Sequence, residues 1–195
     1  MSNAPNRAWQ RMLSGRRLDL LDPSPMDIEI SDIAHGLARV ARWNGQTLGD
    51  HAFSVAQHCL LVEELFSDQR SNPSPSERLY ALLHDAAEYV IGDMISPFKA
   101  VMGGHYRDVE KRLDAAINIA AGLKSSPTAV VSKAIKRADH MAAYLEATQL
   151  AGFEVGEAKR LFEPPPGDVS CTQLTPLPAK QAQMLFLERF EMLRG

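Results

Sequence analysis

Helical punctuation runs through this sequence while strand patterns are scarce, and that confines the chain to helix-on-helix packing. Ser74-Pro75-Ser76-Glu77 has the form of a capping box, with Pro75 pre-set for the first helical position and Glu77 able to reach back to the cap amide. It predicts a helix running to about Val90. Ser126-Pro127 predicts another over 127–150, with Val131, Ile135, Ala138, Ala142 and Leu145 on one stripe and Gly152 beyond the end. A third spans 105–121, where Val109, Leu113, Ala116 and Ala120 recur before Gly122. Ser31 or Asp32 caps a helix to about Trp43, and Asp50 caps one to Phe66, with Gly45 and Gly49 turning between them. After Pro178 a last amphipathic helix carries Met184, Leu187, Phe190 and Leu193. The expected fold is an all-α, single-domain helical bundle of six or seven helices. An N-terminal extension over 1–30 precedes a helical core over 31–162, and a Pro-rich loop and C-terminal helix over 163–195 pack back on it. A short hairpin within 168–177 is compatible with the pattern.

Composition narrows the functional classes. The 195 residues are 45% hydrophobic with a formal net charge of −3, which excludes a disordered chain and supplies no basic footprint for nucleic acid or an anionic membrane. Cys59 and Cys171 allow at most one disulfide, and a chain of this size does not need it. Neither a signal peptide nor a membrane-spanning run is visible, so the expected setting is the cytoplasm.

Charged groups sit where apolar ones belong. His84-Asp85 follows Leu79, Tyr80, Leu82 and Leu83 and precedes Ala86, Ala87 and Tyr89, and Glu88 lies one helical turn beyond His84. Burying such groups is costly unless each is paired or bound to a cation. Asp139 repeats the anomaly in the apolar stripe of the 127–150 helix. His51 and His58, seven residues apart, share a face of the 50–66 helix. One imidazole from one helix, a His-Asp pair from a second and a carboxylate from a third would make a four-ligand nitrogen/oxygen site inside a bundle. Such a set suits Mn, Co, Fe, Ni, Zn or Mg without discriminating among them.

These residues resemble the His…His-Asp…Asp signature of the HD-domain superfamily of metal-dependent phosphohydrolases, here His51, His84-Asp85 and Asp139. The stretch HDAAEYVIGDMISPFK, residues 84–99, is similar at every fixed position to the HDxxExxxGDxxxPxK pattern of the bacterial 5′-deoxynucleotidases. Arg42-Trp43 and IKRADHMAAYL, residues 135–145, also resemble that group, and the likeness covers about residues 33–152.

The resemblance implies one divalent metal ion on His51, His84, Asp85 and Asp139, with His58 outside a ligand set already complete. It implies Glu88 as the catalytic carboxylate that orients or deprotonates the attacking water, and Arg42 as the phosphate-orienting arginine. Asp93 and Trp43 are similar to the residues that hold the sugar, Asp93 standing with the catalytic set, and Lys99 adds a cation near the phosphate. His35, His105 and His140 read as structural, and Cys59 as a small core residue. The expected activity is a phosphomonoesterase releasing phosphate from (deoxy)nucleoside 5′-monophosphates, with a small nucleotide substrate, no nucleic acid or membrane partner, and a homodimer as the resemblance implies. Two alternatives use the same residues: an HD-type phosphodiesterase or pyrophosphohydrolase acting on another nucleotide, and a non-enzymatic module whose metal only staples helices.

Overall fold

A computed structural model describes residues 8–94, 104–166 and 173–195. Eight α-helices lie among them: α1 (Ile30–Leu37), α2 (Val55–Asp68), α3 (Pro75–Leu82), α4 (Glu88–Ile91), α5 (Gly104–Ala120), α6 (Ala129–Gln149), α7 (Val155–Leu161) and α8 (Ala179–Arg194). The only sheet among the described residues is an antiparallel hairpin, β1 (Trp9–Arg11) with β2 (Arg17–Asp19), in register Gln10 to Leu18. The chain is therefore all-α, and none of the described helices is long and apolar enough to cross a membrane.

The bundle is organised around α2. One face of α2 joins a cluster with Leu37 of α1, Leu82 of α3 and Phe186 and Phe190 of α8. Its other face meets Val131, Ile135, Ala138 and Leu145 of α6 through Leu61, Val62 and Phe66. Each fully buried side chain of this size contributes roughly 1.5–3 kcal/mol on transfer from water. One buried carboxylate fixes the helices around α2: Glu63 accepts from Arg78 Nε of α3 at 2.6 Å, from Ser67 Oγ at 2.9 Å, and from Arg189 of α8. Two opposed guanidinium groups supply the pairing that a fully buried carboxylate requires.

Local chemistry explains where the elements depart from the sequence reading. The capping box at Ser74 and Glu77 is present, but its helix stops at Leu82, and His84-Asp85 falls in a tight turn before α4 rather than inside a helix. Successive three-residue amide bonds, Ala86 N to Leu83 O and Glu88 N to Asp85 O, wind that turn. The expected 50–66 helix begins only at Val55, because Ser54 and not Asp50 is its cap, accepting from Gln57 N. Likewise α6 is capped by Thr128 and starts at Ala129, two residues beyond the expected start at 127. The first helix ends at Leu37, and Arg42–Gly45 forms a separate 3₁₀ turn. The hairpin β1–β2 was not expected; Leu18 is fully buried, and Ser14 donates to Asp32 of α1 from both its amide and hydroxyl. Of the hairpin expected within 168–177, residues 168–172 lie outside the described residues, and 173–177 form no strand.

A close approach positions α4. Gly36 of α1 faces Tyr89 of α4, and a Cβ added there would stand 2.7 Å from the Tyr89 carbonyl oxygen and 2.8 Å from its Cβ. Replacing glycine by alanine inside a helix ordinarily stabilises by up to about 1 kcal/mol. Here backbone meets backbone, so Gly36→Ala is expected to destabilise by roughly 1–3 kcal/mol, as overpacking does, read as a lower urea midpoint at unchanged slope.

Candidate active site

Short-range chain geometry brings the site together before any long-range packing is invoked. Arg42 N donates to Phe53 O at 2.8 Å and Val55 N to Val40 O at 2.9 Å, closing the 41–54 loop at its base. Arg42-Trp43 is thereby held against the first turn of α2, where His58 is fully buried. Trp43 and Asn44 both adopt left-handed backbone, φ 56° and 51°, a conformation that costs roughly 1–3 kcal/mol per residue and persists only where surroundings hold it. The surroundings are specific: Trp43 Nε1 donates to Glu146 Oε2 at 2.8 Å, and its ring packs on Phe153 and Phe162 with centroids 5.5 and 5.8 Å away.

Four potential ligands converge on one point. Single donor atoms of His58 (α2), His84 and Asp85 (the turn after α3) and Asp139 (α6) all lie within 4.8 Å of one another. His58 Nε2 is 3.2 Å from Asp139 Oδ1 and 3.5 Å from Asp85 Oδ2, and His84 Nε2 is 3.2 Å from Asp85 Oδ2. The imidazoles are turned the same way. His58 Nδ1 lies 2.6 Å from Glu146 Oε1 and His84 Nδ1 lies 2.9 Å from the Ala81 carbonyl, both oxygens that only accept. Each neutral ring then carries its proton on Nδ1, and both buried Nε2 atoms, which have no hydrogen-bond partner, point lone pairs at carboxylates. Lone pairs aimed at anions repel unless a cation or protons lie between them. The backing of an imidazole by a carboxylate or carbonyl is also the usual arrangement behind a metal-bound histidine. The donor set and its orientation thus fit a divalent ion. The Asp139 and Asp85 side chains, 36% and 25% exposed, leave the cluster open to solvent on the carboxylate side.

Without a cation, protons must balance this cluster. Burial and the Arg42 charge depress the His58 pKa, but Glu146, Asp139 and Asp85 outweigh them and raise it well above the ordinary imidazole value. Burial likewise lowers His84, and Asp85 more than compensates. For Asp85, burial pushes the pKa up, and the two imidazoles overcome it and hold the carboxyl well below the usual range. Asp139 is lowered in the same way, burial opposing and His58 prevailing.

Arg42 and Asp93 border this cluster. Arg42 Nε donates to Glu146 at 3.3 Å and Arg42 NH1 to Asp93 at 3.1 Å, so guanidinium, Asp93, Glu146 and His58 form one connected group. Burial opposes the Arg42 charge, but Glu146 and Asp93 raise its pKa further and keep it cationic. Glu88, buried at 2% exposure, starts α4 three residues after Asp85. Lys99 lies outside the described residues.

One expectation is corrected here. His51 is exposed in the bend before α2 and is not among the converging groups; His58 occupies the place expected for it. The shared helical face does not exist, because the helix starts after His51. The pattern Ser54-x-x-Gln57 is a recognisable start signal, and reading it instead of Asp50 would have put only His58 on α2. Glu146 was missed altogether. It follows Asp139 by two helical turns in the run Ala142 to Ala147, so the argument that singles out Asp139 applies to it equally.

Two outcomes follow for metal binding. Equilibrium dialysis with Mn²⁺ should find one ion per chain, with His58→Ala abolishing the site and His51→Ala binding as wild type does. Because both imidazole pKa values are raised in the metal-free chain, protons compete for Nε2 at higher pH than for a free imidazole, whose pKa is about 6.5. Mn²⁺ affinity should therefore fall on acidification, with the loss beginning above that value. By the same sign, the imidazole protons stabilise the metal-free fold below the ordinary imidazole pKa, and that contribution is lost as pH rises through the raised values.

Comparison with known proteins agrees with this geometry. Residues 33–154 match the YfbR-like 5′-deoxynucleotidase family, a stretch that carries Arg42, His58, His84, Asp85, Glu88, Asp139 and Glu146. An uncharacterised protein of Rhodobacter capsulatus is 56% identical over 190 residues, covering 96% of each chain. The uncharacterised YfdR of Escherichia coli is 32% identical over 168 residues, 86% of this chain and 85% of that one. With the family match extending over more than half of the sequence, this chain belongs to the YfbR-like 5′-deoxynucleotidase family of HD-domain phosphohydrolases.

Proposed function

We propose that this chain is a metal-dependent phosphomonoesterase that releases phosphate from deoxynucleoside 5′-monophosphates. The observation that carries the reading is the convergence of two imidazole lone pairs and two carboxylates within 4.8 Å. A partly buried arginine stands next to them. His58, His84, Asp85 and Asp139 would hold the ion, whose charge, when bound, lowers the pKa of water and offsets charge on phosphoryl oxygens.

The chain's own groups supply the rest. Arg42 presents a planar five-donor fork suited to a phosphate, and its bonds to Glu146 and Asp93 hold that fork still. A guanidinium fixed in advance loses less conformational entropy on binding the anion. Glu88, buried three residues after Asp85, is assigned the proton of the attacking water. Its carboxylate stands outside the four-ligand set, which a metal serving only to staple helices would not require. Asp93 accepts from Arg42 and Trp43 donates to Glu146, the carboxylate that also holds Arg42, which supports their assignment to the sugar end of the substrate.

Phosphate release from a panel of nucleotides, run with each divalent metal, tests the proposal. Wild type should hydrolyse deoxynucleoside monophosphates faster than ribonucleotides. Glu88→Ala should keep its metal and lose turnover by about 10²-fold or more. Equal deoxy and ribo rates would remove the sugar assignment, and absence of phosphate release from every nucleotide by metal-loaded protein would remove the enzyme.

A further inference from the structure

We propose that Glu146 is the positioning residue for both halves of the site, its single carboxylate setting the proton of the metal-facing imidazole and the placement of the phosphate arginine at once. The inference rests on the metal-phosphatase reading and goes beyond it. Glu146 is fully buried on α6. Its Oε1 meets His58 Nδ1 at 2.6 Å, and its Oε2 accepts from Trp43 Nε1 at 2.8 Å and Arg42 Nε at 3.3 Å. A guanidinium and an indole donate to one oxygen and the His58 ring faces the other, so the carboxylate is used as an acceptor at both oxygens.

The three partners differ in what they can do. An indole N–H and a guanidinium N–H only donate, so the oxygen that faces them must stay an acceptor. An imidazole Nδ1 takes either role, and its neighbour decides which. Glu146 as a carboxylate makes Nδ1 the donor and leaves Nε2 bare toward Asp85 and Asp139. A glutamine in its place would keep its amide oxygen on Trp43 and Arg42 and turn its NH₂ to His58. Nδ1 would then have to accept, and the ring proton would move to Nε2, into the space an ion must fill. Glu146→Gln is thus a nearly isosteric change that leaves the arginine and indole anchored and closes the metal position with a proton.

The test uses the full chain and Co²⁺, whose visible absorption reports ligation without any need for turnover. Glu146→Gln is expected to keep the wild-type circular dichroism and to weaken Co²⁺ binding by at least about 10-fold, the scale typical of lost outer-sphere partners. Wild-type Co²⁺ affinity in a folded Glu146→Gln chain overturns the inference and leaves the phosphohydrolase reading standing. A wild-type chain that takes up no Co²⁺ overturns that reading, and the inference falls with it. If the variant does not fold, the wild type decides: in the Zn²⁺-loaded protein, ¹⁵N shifts should show the His58 proton on Nδ1, and a proton on Nε2 overturns the proposal.

Discussion

Two carboxylates and two imidazole lone pairs aimed at one point cannot coexist in a protein interior unless positive charge sits among them, and the bundle is arranged around that requirement. The requirement is met at the junction of three chain segments. Asp139 comes from α6, His58 from the first turn of α2, and His84-Asp85 from the turn that ends α3. Since α2 belongs to both apolar clusters, the site sits where the two halves of the core meet, and displacement of either half would separate its ligands. Protons and a divalent cation compete for the same Nε2 atoms, which ties metal loading to pH.

Around that charge the fold accepts local costs. Trp43 holds left-handed backbone that a bulky residue rarely adopts, beside Asn44, which tolerates it, and the ring of Trp43 is fixed by Phe153, Phe162 and the Glu146 carboxylate. The arginine beside it is partly buried, yet it stays charged because two carboxylates hold it. Strain and buried charge in one place, compensated by specific partners, mark a part of the molecule shaped for chemistry more than for stability. Elsewhere the same logic is purely structural: Glu63 and its two arginines hold α3 and α8 against α2.

Much of the architecture was legible in residue pattern. Cap chemistry located α3, and apolar spacing located α5, α6 and α8 to within a few residues. Three of the four converging groups, His84, Asp85 and Asp139, announced themselves as charges inside apolar runs. What escaped was governed by turns. Leu83 leaves helical geometry with ψ near 7°, and no proline or glycine marks that break, so the His-Asp pair read as helical. His51 read as a ligand because its helix was started too early, an error of a few residues at a boundary, where sequence patterns discriminate least. The β1–β2 hairpin is short, and its only fully buried residue is Leu18, too little alternation to register as strands. Glu146 shows a different limit: its role depends on three partners far away in sequence, and only the folded chain reveals them.

The most direct test of the account is an anomalous-difference map from crystals of the full chain grown with Mn²⁺. The account predicts a single strong peak at coordination distance, about 2.0–2.3 Å, from Nε2 of His58, Nε2 of His84 and a carboxylate oxygen of each of Asp85 and Asp139. A peak bound instead by His51, or no peak at the four-residue cluster in crystals grown with saturating Mn²⁺, would contradict it.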